Sequence, residues 1–338
     1  MKKIILSLAA VCGLLSLPAR AACIDEQKFV PINGIEQWVV IRGERCENLV
    51  LIIVHGGPGN PMTPYAKAIY GPWEKEFTLV LWDQRGSGMT YGRKPPAEDD
   101  PLTLELMRDD GIAVTEYALK RLGKRKAILK GASWSSILGP LMIKARPELY
   151  SAYVGTAHMV RYPDNIKASY ARTLELAKAA KDADSIAKLE ALGTPPWTNP
   201  RNFGILRRVT RKYEAMATDP APAGWWKPEA LYATAKYEAD YTAGEDYSFL
   251  QFVGWKGDGM ASRVDAYKLG PSFDVPVFII QGAEDLVTTP DVARAFYDAI
   301  RAPKKEFILL PRVGHDPNPP MVDAQLKLLR EKVRPLAD

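Results

Sequence analysis

Cysteine and histidine are scarce in this chain, 3 of each in 338 residues, and none of them stands at metal-ligand spacing. Metal centres built from these residues use pairs a few positions apart, so no metal is expected, and no motif below calls for an organic cofactor. Charge of one sign is missing too. Lysine and arginine number 45 against 40 aspartates and glutamates, a balance that gives no electrostatic pull towards nucleic acid. Low-complexity tracts and internal repeats are absent, and with 47% hydrophobic residues the chain can bury a substantial core.

The first residues carry no acid. Lys2 and Lys3 precede an apolar run, Ile4 to Leu17, that is too short to span a bilayer and ends in Ala19-Arg20-Ala21, the small-x-small pattern that signal peptidases cut after. Residues 1–21 are therefore expected to be a cleaved secretory signal, leaving a periplasmic or extracellular protein with no stable membrane association. Its removal lowers the formal net charge of +5 by three. Cys12 leaves with the signal, and Cys23 and Cys46 flank the first strand-like segment of the mature chain. In an oxidising compartment that pair reads as a disulfide, with two unpaired thiols as the alternative.

Short apolar runs recur at Leu49–Val54, Phe77–Trp82, Ala127–Leu129, Ala152–Val154, Val275–Ile280 and Phe307–Leu310. Continuous apolarity rich in β-branched residues suits strands of a parallel sheet covered on both faces. Helical spacing lies between them, as in Leu104, Met107, Val114, Ala118 and Leu122, closed by Gly123. Alternation of this kind predicts an α/β fold, a mostly parallel central sheet flanked by helices. A hairpin turning at Asn33-Gly34 precedes it. From His158 to about Gly270 the strand signal stops, which predicts a helical cap over 158–270 between core segments 22–157 and 271–338. Within the cap, Ser185 is expected to cap a helix, and Gly193-Thr194-Pro195-Pro196 to stop it.

A serine hydroxyl becomes a useful nucleophile when an imidazole takes its proton and a carboxylate holds that imidazole in the right tautomer. Gly131-Ala132-Ser133-Trp134-Ser135 follows a strand and opens a helix, the setting of a nucleophile elbow whose neighbours must be small. Ser135 stands where glycine is usual, and Ser135 and Ser136 are rival nucleophiles that would lie inside the helix. Asp285 follows the Val275–Ile280 strand, with Glu284 and Asp291 as alternatives, and His315 follows the last strand. The order Ser133, Asp285, His315 is that of an α/β-hydrolase triad. The loop His55-Gly56-Gly57-Pro58-Gly59 offers one oxyanion donor in the Gly57 amide, and the Trp134 amide offers the other. His55 and Gly56, the former with its ring in a structural role, and His158 at the mouth of the cap are expected to border the substrate. Asp83 and Arg85 are expected to form a structural ion pair, and Gly86 and Gly88 near them lack the third glycine of a dinucleotide loop.

Taken in order, His55-Gly56-Gly57-Pro58-Gly59, Trp82-Asp83-Gln84-Arg85-Gly86-Ser87-Gly88 and Gly131-Ala132-Ser133-Trp134 resemble the successive signatures of the proline iminopeptidases, α/β-hydrolases of peptidase family S33. Ser135 for glycine and Met89 after Gly88 depart from that pattern. The resemblance implies a small-molecule or short-peptide substrate, release of an N-terminal residue such as proline, and cap acids that hold a free α-amine. Glu229, Glu238, Asp240 and Glu245 are the cap acids available for that role. An esterase or amidase for another small acyl substrate and a non-catalytic binding protein on the same scaffold are the other readings. The oligomeric state is left open.

Overall fold

A computed structural model describes residues 23–97 and 99–337; the expected signal segment lies outside the described residues. Eight strands form one sheet: β1 (Ile24–Ile32), β2 (Ile35–Gly43), β3 (Leu49–Val54), β4 (Phe77–Trp82), β5 (Ala127–Ser133), β6 (Tyr150–His158), β7 (Val277–Gly282) and β8 (Lys305–Leu310). The helices are α1 (Ala66–Tyr70), α2 (Gly88–Arg93), α3 (Leu104–Leu122), α4 (Ser135–Ala145), α5 (Tyr162–Ala179), α6 (Ala183–Leu192), α7 (Arg201–Ala217), α8 (Ala235–Val253), α9 (Pro290–Ala299) and α10 (Pro319–Leu328).

The strand order is β1-β2-β4-β3-β5-β6-β7-β8. The two pairings β1 with β2 and β2 with β4 are antiparallel, and every pairing from β4 to β8 is parallel. The apolar runs have the predicted consequence. In β3, Val50, Ile52 and Val54 pack into one core layer with α3, α4 and α9, while Leu51 and Ile53 pack into the other with α1 and α10. A strand buried on both faces has no reason to alternate.

The hairpin turns at Asn33 and Gly34, both with positive φ, as expected of an Asn-Gly turn. A Cys23–Cys46 disulfide closes the open end of that hairpin, just beyond the Ile24–Gly43 pair. Thr103 caps α3 through the Leu106 amide, and Gly123 ends it with φ +63°.

Among the described residues only helices and turns lie between β6 and β7, apart from two isolated bridges, Arg161 with Asp265 and Ser272 with Arg301. Asp182, not the expected Ser185, caps α6, its carboxylate accepting from the Ser185 amide. No helix among the described residues is long and apolar enough to cross a membrane. The sheet order places the site. From β3 the chain moves to one side, to β4, and then crosses to β5 on the other side. The C-terminal ends of β3 and β5 thus flank a topological switch point, where open α/β sheets leave a crevice.

Candidate active site

Ser133 ends β5 at that crevice, and its φ of +55° lies in the left-handed region that residues with a β-carbon rarely adopt. Such a conformation costs about 1–3 kcal/mol and persists only where surrounding structure enforces it. The enforcement is visible. A β-carbon on Gly131 would stand 2.5 Å from the Ser135 carbonyl oxygen, so strand and helix meet with no room for a side chain there.

Ser135 does more than stay small in the place of a glycine. Its hydroxyl accepts from the Ala132 amide at 2.7 Å and donates to the Val54 carbonyl at 2.7 Å, tying the elbow to the end of β3. Ser136 donates to the Ser133 carbonyl and accepts from the Met159 amide. Both rival hydroxyls are therefore committed to backbone. Ser135→Gly is expected to lower stability by about 1–3 kcal/mol, because buried backbone groups lose their partner. Urea unfolding measures it, and an unchanged midpoint would show that the hydroxyl is incidental.

His315, in the loop after β8, holds Nε2 2.9 Å from Ser133 Oγ, and its Nδ1 lies 3.1 Å from both carboxylate oxygens of Asp285. Asp285, after β7, is almost fully buried and saturated with donors. Its Oδ1 accepts from the Val287 and Thr288 amides, and its Oδ2 from Gln281 Nε2 and Thr288 Oγ1. Glu284 makes no such contact, and Asp291 belongs to α9.

Burial on its own would push the His315 pKa down, but the adjacent Asp285 carboxylate outweighs it and the net shift is upward from 6.5. Burial would raise the Asp285 pKa, and the facing imidazolium outweighs that, holding it below 3.8. Two consequences follow by sign. A base must be unprotonated, so kcat/KM is expected to rise with pH through a value above 6.5, and a pH–rate profile with its acid limb below that value would contradict the geometry. The stability that protonated His315 contributes is fully present below its unfolded pKa and is lost as pH rises through the folded one. That of Asp285 is present above its unfolded pKa and is lost as pH falls through the folded one.

The loop after β3 brings Gly56 against the elbow, where a β-carbon would lie 3.5 Å from Ser133 Cβ. Among the described residues, neither the Gly57 amide nor the Trp134 amide donates to a protein acceptor, so both are free for an oxyanion. His55 is a scaffold. Its Nδ1 donates to the Gly56 carbonyl, its Nε2 accepts from the Gln84 amide, and burial pushes its pKa down to about 4. Gln84 then donates to the His55 carbonyl and accepts from the Trp134 indole, tying the two segments that carry the candidate oxyanion donors to each other.

His158 does not border the substrate as expected. Because β6 runs on to it, the ring points into the layer under α9, stacked 5.2 Å from Phe296, with Nδ1 donating to the Met159 carbonyl. It is fully buried and absent from the cavity wall. Asp83 and Arg85 do not pair either. Arg85 reaches Asp110 at 2.9 Å, while Asp83 accepts from Thr63 and the Met89 amide. Gly86 serves packing, since a β-carbon there would strike the Tyr247 ring of α8 at 2.7 Å.

Ser133 and His315 open into a cavity of about 1080 Å³. Helices α5, α7 and α8 wall it, with Tyr65, Trp226, Tyr241, Phe249 and Phe252 supplying aromatic surface. Of the four acids singled out in the sequence, Glu245 alone lines it, held by Asn60 Nδ2 at 2.7 Å. Glu229 is clamped by Arg42, Asp240 pairs with Lys236, and Glu238 is exposed.

Sequence reasoning missed Glu214 on α7. Its carboxylate accepts from the Leu286 amide and from Arg207, and Arg207 also grips Asp316. One cap helix thereby holds the residues next to both Asp285 and His315. Burial raises the Glu214 pKa against the opposing pull of Arg207. No spacing rule links an acid at 214 to loops 70 and 100 residues on.

A parallel sheet with a strained serine after β5, an acid after β7 and a histidine after β8 defines an α/β-hydrolase. The family model for serine aminopeptidase, S33, matches residues 46–318, and the chain belongs to that family of hydrolases. It is 26% identical over 298 residues to the probable aminopeptidase YbaC of Bacillus subtilis, covering 86% of this chain and 91% of that one. It is 25% identical over 327 residues to a proline iminopeptidase of Neisseria meningitidis, covering 90% and 94%. Among solved structures, the proline iminopeptidase of Mycobacterium smegmatis superposes with a TM-score of 0.61 at 20% identity, over 92% of this chain and 95% of that one.

Proposed function

We propose that this hydrolase is an exported aminopeptidase that releases proline or a similar small residue from the N-terminus of short peptides. The observation that carries the reading is the Ser133–His315–Asp285 chain of contacts opening into a cavity that also holds the Glu245 carboxylate. In the proposed course, Ser133 Oγ attacks the scissile carbonyl as His315 Nε2 takes its proton, and Asp285 stabilises the imidazolium. The Gly57 and Trp134 amides hold the oxyanion. His315 then protonates the departing amine, and a water activated by the same imidazole releases the acyl group from Ser133.

Glu245 is proposed to receive the free α-amine. One of its oxygens is held by Asn60, and the cap acid Glu214 is already occupied by Leu286 and Arg207. Glu245→Gln is expected to raise KM for unblocked aminoacyl amides about 10- to 100-fold, the size of a hydrogen bond to a charged group, with little change in kcat. An unchanged KM would remove Glu245 from that role.

The reading as a whole is tested with a fluorogenic panel of prolyl and other aminoacyl amides, their N-acetylated forms, and short acyl esters. Turnover of the unblocked amides alone supports it. If neutral acyl esters turn over well and unblocked amides do not, the enzyme is an esterase. Export is supported by the lysine-led apolar segment and by the Cys23–Cys46 disulfide, which suits an oxidising compartment. Fractionation with N-terminal sequencing is expected to find the mature chain outside the cytoplasm, beginning near Ala22, and an uncleaved cytoplasmic protein would refute it.

A further inference from the structure

The wall of the same cavity includes a buried cation that the proposed chemistry does not use. Lys130 lies in the middle of β5, three residues before Ser133, and is 2% exposed. Its Nζ stands 3.5 Å from the Tyr70 hydroxyl and 5.2 Å from the centre of that ring. It forms no ion pair among the described residues. Its strand neighbours in register, Ile53 and Val154, are apolar. An ammonium withdrawn from water without a counter-charge is costly, and packing alone would be served by a methionine or leucine at this position.

The surrounding polar groups are also incomplete. Thr156 on β6 and Gln325 on α10 line the cavity with Lys130 and Tyr70. The Gln325 amide meets the Thr156 hydroxyl at 3.1 Å, and its other amide atom is buried without a partner. A half-turn of that amide lets the hydroxyl donate to its carbonyl and presents the NH2 group as a free donor. Lys130 is in register with Val154, and Thr156 lies two residues further along β6 on the same face, so ammonium, phenol and amide donors share one part of the cavity wall and match a small oxyanion.

We propose that this recess is an anion subsite that takes a carboxylate, with Lys130 as its counter-ion and Tyr70 and Gln325 as neutral donors. The carboxylate has two sources, a small free acid or an acid group carried on the acyl part of a substrate bound at Ser133. The site stands on the buried lysine and its neighbours, independently of the aminopeptidase reading.

The first arm of the test uses the Ser133→Ala protein, so that turnover plays no part. Sodium acetate is expected to raise its Tm saturably, acetamide at matched ionic strength is not, and adding Lys130→Met is expected to remove the response. Lys130→Gln is read the same way where the methionine variant does not fold, and Tyr70→Phe is expected to weaken the shift. The second arm compares p-nitrophenyl hemisuccinate with p-nitrophenyl butyrate on the Ser133 enzyme. A kcat/KM ratio that drops about 10- to 100-fold on Lys130→Met assigns the anion to the substrate. A saturable acetate shift with an unchanged ratio assigns the subsite to a free acid. If acetate acts no differently from acetamide and the ratio is indifferent to Lys130, water fills the recess and the proposal is overturned.

Discussion

Ser133→Ala is expected to lower kcat about a million-fold and to abolish labelling by a fluorophosphonate probe, while KM and Tm change little. The size follows from the absence of a substitute. Ser133 Oγ is 2.9 Å from His315 Nε2, whereas the hydroxyls of Ser135 and Ser136 are bonded to Val54, Ala132, Ser133 and Met159 backbone groups. Neither can reach the imidazole without breaking the turn that α4 starts from. Alanine also carries a β-carbon, so the strain of φ +55° is the same in both proteins and the fold has no reason to relax. What persists in the variant is catalysis by the oxyanion donors and by binding alone. Activity within tenfold of the wild type on the best substrate would mean that another group attacks, and the proposed mechanism would fall.

Asp285→Asn is expected to cost on the order of 10,000-fold in kcat, the effect of presenting a histidine with the wrong hydrogen-bond partner. The carboxylate receives four protein donors in addition to His315, two at each oxygen. An asparagine can keep its carbonyl oxygen on the Val287 and Thr288 amides. Its NH2 then replaces the oxygen that faces Gln281, Thr288 and His315, so donors confront donors. The imidazole is driven to the tautomer that carries its proton on Nε2, where it cannot accept from Ser133. The pH profile gives a signature that a folding defect would not. Without the carboxylate, burial of His315 is unopposed, so the acid limb of the residual activity is expected to move to lower pH. A variant with unchanged kcat, or with its acid limb unmoved, would take Asp285 out of the relay.

The parts of the site that were legible in the sequence are those that depend on local chain geometry. An apolar β-branched run before Gly131-Ala132-Ser133, a proline that starts α9, and Gly123 with its left-handed cap each constrain backbone within a few residues. His158 was misplaced because four more residues of strand beyond Val154 turn a loop mouth into a core position. The Asp83–Arg85 pairing failed because two charges close in sequence diverge once the turn after β4 sends one to Thr63 and the other to Asp110.

By itself the sequence determined the class of fold, the sheet's buried strands, the serine elbow and the order of the acid and histidine behind it. Each of these follows from periodicity, residue size and chain order, which are local properties. Only the tertiary structure decided which of the four acids singled out in the cap lines the cavity, that α7 grips the loops next to Asp285 and His315 through Glu214 and Arg207, and that Lys130 is buried without a counter-ion among the described residues. Those outcomes depend on how helices far apart in the chain settle over one end of the sheet, and the energy of such contacts is shared among residues that no spacing connects.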